Sequence, residues 1–205
     1  MASRGEPGTV RPGGRTARVR AAVLEAAGDA IAEHGFAGLD LADVARRAGV
    51  GKTTMYRRWG TAAALVADLL ADMAEQSLPR TETGDLLGDL RENARLVVRT
   101  LTDARQSRLF RAMIAAATGD ERTAAGLRRF YRARIDEWAP CVEQAVARGE
   151  VPAGTDAREV VRAVSAPLYY RLLASGDPLD EAAADRAAAA AVAAARAGAY
   201  VTAGQ

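Results

Sequence analysis

The chain has 205 residues, of which 49% are apolar, 26% charged and only 5% aromatic; that length suits one medium globular unit or two small domains sharing a core. One cysteine, Cys141, excludes an internal disulfide and a cysteine-based zinc site, and one histidine, His34, removes most catalytic triads and histidine metal clusters. Net charge is only +2, no run approaches the ~18 apolar residues of a membrane span, and the basic N-terminus carries no apolar signal segment, so the expectation is a soluble cytoplasmic protein with no metal and no cofactor.

Residues 1 to about 15, MASRGEPGTVRPGGR, mix Gly, Pro and Arg without a period and read as a flexible arm. Helical spacing then begins. Val19, Val23, Ala26, Ala27, Ala30 and Ile31 share one face, and Gly35 follows His34 as a stop. Asp40 is a good N-cap for a short helix carrying Leu41, Val44, Ala45 and Ala48, which Gly49 breaks. A second short helix runs from about Lys52 to Arg58. Thr61 caps a longer one with Leu65, Val66, Leu69, Leu70 and Met73 on one face, ending before Pro79.

Asp85 opens the next helix, buried through Leu86, Leu90, Ala94, Val97 and Leu101; Leu109, Phe110, Met113 and Ile114 mark another. After Gly119 a long pattern runs through Leu127, Phe130, Tyr131, Ile135, Trp138, Val142 and Val146 to Gly149, with a kink expected at Pro140. Asp156 and Glu159 open a helix with Val160, Val164, Leu168 and Leu172 and an internal Pro167. Asp177-Pro178 reads as an N-cap followed by proline at the first helical position of a final alanine-rich helix reaching about Ala199. Roughly a quarter of the chain is alanine, the strongest helix former, and period-two apolar runs are absent. The expected fold is all-α, with about nine helices.

Charge is unevenly placed. Residues 1–60 hold ten basic groups against six acidic ones, and the remainder eighteen against twenty, so a polyanionic partner would meet the N-terminal part. Of the 28 basic residues 27 are arginine; the single lysine is Lys52.

Two short helices separated by Ala48-Gly49-Val50-Gly51 make a helix-turn-helix, whose second helix enters the DNA major groove. In the second helix Met55 and Trp59 lie four apart and face the core. Lys52, Thr53, Thr54, Tyr56, Arg57 and Arg58 fall mostly on the other side, a set of donors and cations suited to phosphates and base edges.

The stretch AVLEAAGDAIAEHGFAGLDLADVARRAGVGKTTMYRRWGTAAALVADLL resembles the DNA-binding domain of the TetR family of transcriptional regulators, including a Tyr-Arg-Arg-Trp ending at 56–59. Pro167-Leu168-Tyr169-Tyr170-Arg171-Leu172-Leu173, followed by Gly176-Asp-Pro-Leu, resembles the C-terminal domain of one subgroup, so the likeness spans roughly residues 16–198. It implies that Lys52, Thr53 and Thr54 approach base edges while Tyr56, Arg57 and Arg58 contact phosphates or adjacent bases. Three positions depart from the family pattern: Asp40 replaces a Thr or Ser, Gly51 a Ser, and Ala62 a Lys, the last removing a phosphate contact.

The resemblance also implies three parts: an arm over 1–15, a helix-turn-helix DNA-binding domain over 16–60 with its motif at about 40–59, and a helical ligand-binding and dimerisation domain over 61–205. Phe110, Met113, Tyr131, Trp138, Cys141 and Tyr169 are the bulky or soft groups expected around a mostly apolar effector cavity, though the same groups also suit a filled core. Ala182, Ala183, Ala189, Ala190, Ala193 and Ala197 would let the last helix and the one before it form half of a four-helix homodimer interface, as a palindromic operator requires. The expected function is a repressor released from operator DNA by a small molecule. The alternatives are a DNA-binding protein without a ligand, and an all-helical small-molecule carrier or enzyme with a vestigial DNA-binding motif, for which no nucleophile–base pair, metal cluster or phosphate loop assembles.

Overall fold

In the computed structural model the described residues are 14–76, 80 and 82–202, and among them every named element is helical. In chain order these are α1 (Gly14–His34), α2 (Leu41–Arg47), α3 (Lys52–Arg58), α4 (Ala62–Glu75), α5 (Leu86–Thr102), α6 (Ala104–Ala117), α7 (Glu121–Ala147), α8 (Ala157–Tyr170), a π-helical turn (Arg171–Ser175) and α9 (Glu181–Arg196). Most of the expected arm, residues 1–13, lies outside the described residues; Gly14 and Arg15, read as its end, already belong to α1.

Side-chain caps set most of the helix starts. Asp40 accepts from the Ala42 N–H, Thr61 from Ala64, Asp85 from Gly88, Asp120 from Thr123 and Asp180 from Ala183, at distances from 2.6 to 3.2 Å. Each such cap is worth about 1 kcal/mol. Asp180, not Asp177, opens α9. The Asp177 carboxylate instead accepts from the Ser175 hydroxyl at 2.8 Å and the Pro178 carbonyl accepts from Arg171 at 2.9 Å, both within the preceding turn. α7 runs unbroken through Pro140. The carbonyl that Pro140 leaves unpaired belongs to Asp136, an exposed position where water can satisfy it.

One apolar core joins the helices, from Val23 and Leu24 of α1 to Val192 of α9. α4 lies along α7 while also touching α1, α5 and α8 lie along α9, and α1 packs on α6. At Gly126 of α7 an added Cβ would lie 3.3 Å from the Ala67 Cα of α4, so the glycine permits the close approach of these two helices. No helix among the described residues is long and apolar enough to cross a membrane.

Candidate functional site

The turn between α2 and α3 is fixed by backbone chemistry. Gly49, at φ +65°, ends α2 in the left-handed conformation, with the Gly49 N–H bonded to the Arg46 carbonyl at 3.2 Å and the Val50 N–H to Ala45 at 2.9 Å. α3 then starts at Gly51 with no side-chain cap. Met55 and Trp59 turn inward and are 0% and 7% exposed. Lys52, Thr53, Tyr56, Arg57 and Arg58 face solvent, and Thr54 is half-buried.

The cations on this face are held in no ion pair. Among the described residues no carboxylate forms an ion pair with Lys52, Arg57 or Arg58. Arg47 of α2, by contrast, is held by Glu33 at 2.7 Å and Asp43 at 2.6 Å, and Arg46 also pairs with Asp43. Arg58 lies over the Trp59 ring at 5.0 Å. His34 at the end of α1 stays exposed beside Glu33 and Arg47. A concavity of about 580 Å³ adjoins the same face, lined by Thr54, Arg57 and Arg58 together with Thr16 and Val19 of α1. Sequence reasoning missed the last two because only the fold brings the start of α1 beside α3.

Behind α3 a polar relay ties its end to α4. The Trp59 indole donates to Asp68 at 2.9 Å, and Arg20 of α1 donates to Asp68 at 2.8 Å and to Asp72 at 2.5 Å. The Gln76 side-chain amide donates to the other Asp72 oxygen at 2.6 Å. Burial acts to raise the Asp68 pKa, but hydrogen bonds from Arg20 and Trp59 outweigh it and hold the carboxyl below its ordinary value.

Gln76 also lines a second feature, a cavity of about 780 Å³ walled by α4 to α8, a size that accepts a drug-sized molecule. Phe110, Tyr131, Trp138 and Tyr169 line it; Met113 and Cys141 do not. On α6 the stripe Gln106–Phe110–Ile114 faces the cavity, while Met113, on the neighbouring stripe with Leu109, is packed in the core. Cys141 lies one turn past Trp138 and is fully buried; burial, with Asp89 nearby, pushes its pKa up to about 12, so the thiol stays protonated.

In the aromatic wall Phe110 and Phe130 are tilted at 50° with centroids 5.6 Å apart, and Tyr131 and Tyr169 meet edge to face, 5.4 Å apart at 88°. Polar lining residues Asn93, Gln106, Arg134 and Arg162 were invisible in the sequence, where they look like the wet faces of amphipathic helices. Four buried polar atoms of lining residues have no partner among the described residues: Asn93 Oδ1, Gln106 Oε1, Trp138 Nε1 and Arg162 Nε. Burial raises the Tyr131 hydroxyl pKa well above its ordinary value, and the Tyr169 hydroxyl adds to the rise. Orphaned buried groups are uncommon in folded proteins; their concentration around one cavity suits an occupant that hydrogen-bonds.

Residues 23–69 match the family described as bacterial regulatory proteins, tetR family, and residues 80–191 match the tetracyclin repressor-like C-terminal domain. The chain is 31% identical over 161 residues to the uncharacterized HTH-type transcriptional regulator YdeS of Bacillus subtilis, covering 78% of this chain and 81% of that one. It is 30% identical over 164 residues to a DNA-binding transcriptional repressor TetR of Mycobacteroides abscessus, covering 79% and 85%. The crystal structure of the TetR family regulator SCO0332 superposes with a TM-score of 0.70 at 30% identity, over 86% of this chain and 97% of that one. These relatives are regulators, and the reading of the α3 motif as vestigial in a carrier or enzyme is not favoured. With an exposed cationic helix after a glycine turn and both halves matched, the chain belongs to the TetR family of helix-turn-helix transcriptional regulators.

Proposed function

We propose that this protein is a repressor that binds a palindromic operator as a homodimer in the cytoplasm and leaves it when a small molecule fills the α4–α8 cavity. In this reading Lys52, Thr53 and Thr54 read base edges and Tyr56, Arg57 and Arg58 grip phosphates, within a DNA-binding part that ends near residue 60. Phe110, Tyr131, Trp138 and Tyr169 enclose the effector's apolar body.

The observation that carries the reading is the position of Gln76. It lines the cavity and at the same time donates to Asp72, which shares Arg20 with Asp68, the acceptor of the Trp59 indole. An occupant that draws Gln76 away loosens the grip on the end of α3, and DNA and effector then oppose each other reciprocally. A typical coupling is ~1–3 kcal/mol, or roughly 5–150-fold in affinity.

The dimer is formed by α8 and α9. Ala182, Ala189, Ala190, Ala193 and Ala197 form an exposed small-residue face, beside the exposed Tyr170 and Leu173; Ala183, expected with them, is buried within the subunit. Small side chains allow helices of two subunits to approach closely.

The test is fluorescence anisotropy with a palindrome from the DNA upstream of the protein's own gene, titrated across salt, followed by aromatic compounds selected for raising the melting temperature. Steep salt dependence, and at least a fivefold loss of operator affinity with a stabilising compound, are expected. Stabilising compounds that leave DNA affinity unchanged would remove the effector from the account.

A further inference from the structure

The charge of the cavity lining points to the effector's chemical class. Two guanidiniums, Arg134 of α7 and Arg162 of α8, line it, and among the described residues no Asp or Glu does. Glu137 engages Arg134 Nη1 at 2.9 Å and Glu159 engages Arg162 Nη2 at 3.3 Å, each from its own helix and outside the lining. A guanidinium carries five N–H donors, so one carboxylate oxygen leaves most of them available. The Arg162 Nε is buried with no partner among the described residues. Arg134 lines the cavity together with Tyr131 and Tyr169 of the aromatic wall.

The guanidinium N–H groups that these carboxylates leave over favour an anionic, hydrogen-bond-accepting group at the lining over a cation. Phe110, Leu127, Phe130 and Ile135 meanwhile offer a broad apolar surface. We propose, resting on the reading of this cavity as an effector site, that the effector is an apolar-bodied organic acid whose anionic group is held by Arg134 and Arg162, with Trp138 Nε1 as a further donor. A cationic amphiphile of the same shape is rejected.

Three probes of one shape separate charge from fit: 2-naphthoate, 2-naphthamide and 2-naphthylmethylammonium, each titrated calorimetrically into the full-length protein. Naphthoate is expected to bind at least tenfold more tightly than the ammonium, with the amide between them. Arg134→Gln and Arg162→Gln are each expected to weaken naphthoate at least tenfold more than they weaken naphthamide. Should either variant fail to fold, the wild-type protein still decides the matter, because raising salt from 50 to 500 mM weakens naphthoate and leaves naphthamide nearly unchanged. Equal or tighter binding of the ammonium, or an anion preference that survives both substitutions, overturns the proposal while the cavity keeps its role as an effector site. If none of the three binds, the proposal and the effector-site reading fall together.

Discussion

The indole N–H of Trp59 and the carboxylate of Asp68 are 2.9 Å apart, and this bond joins the C-cap of the recognition helix to the middle of α4. Trp59→Phe deletes the donor and leaves a smaller ring at a buried position. The expected loss is about 2–3 kcal/mol of stability, about 1 for the hydrogen bond and the rest for the space left behind, together with weaker operator binding because the end of α3 is less firmly held. Chemical denaturation and operator titration on the same preparation check both. A variant equal to the wild type in DNA affinity would separate this bond from recognition.

The same carboxyl predicts an acid limb. Asp68 is held below its ordinary pKa in the folded state, so it contributes stability that is present above the unfolded value of ~3.9 and lost as pH falls through the folded one. Melting temperature should therefore drop on acidification below about pH 4. Asp68→Asn should be less stable at pH 7 yet show a shallower drop, and parallel curves for the two proteins would contradict the assignment.

The exposed face of α3 should matter to DNA and to nothing else. Lys52→Ala, Tyr56→Ala and Arg57→Ala remove side chains that face solvent and make no side-chain hydrogen bond or ion pair among the described residues. Melting temperatures should stay within about a degree or two, as for surface changes within ±0.5 kcal/mol. Operator affinity should fall, and loss of the Arg57 phosphate contact should reduce the salt slope by about 1. Unchanged operator binding in all three would remove α3 from the interface.

Gln76 stands between cavity and relay, hydrogen-bonded to Asp72 at 2.6 Å. Gln76→Ala is expected to shrink the effector-induced loss of DNA affinity at least threefold, since the occupant can no longer act through the amide. The operator titration of the previous section, run with and without a stabilising compound, reads this directly; an undiminished response would place the coupling elsewhere.

On α9, Ala193 is exposed between Ala189 and Ala197 on one face. Ala193→Arg should leave the folded subunit intact, as the side chain points away from the core, and should break the proposed α8–α9 pairing by placing an unpaired cation in it. Sedimentation equilibrium should show a shift from dimer to monomer, with operator affinity lost in parallel. A variant that stays dimeric would mean that the two subunits meet through another surface.

The local elements were written in the residues themselves. Asp40, Thr61, Asp85 and Asp156 cap helices because short oxygen-bearing side chains reach the backbone N–H groups two or three residues on, a matter of sequence distance alone. The inward Met55 and Trp59 and the outward cations of α3 follow equally from a period of 3.6. Where two nearby signals competed, sequence distance could not arbitrate: α9 starts at Glu181 with Asp180 as its cap, while Asp177 accepts from the Ser175 hydroxyl in the turn before it. Only the tertiary structure decided which polar residues line a cavity. Arg134, Arg162, Asn93 and Gln106 occupy positions that look solvated along their own helices, and they become a cavity lining because α4, α5, α7 and α8 are brought around them. The Arg20–Asp68 contact spans 48 residues of chain, and the chemistry of either residue in isolation gives no hint of it.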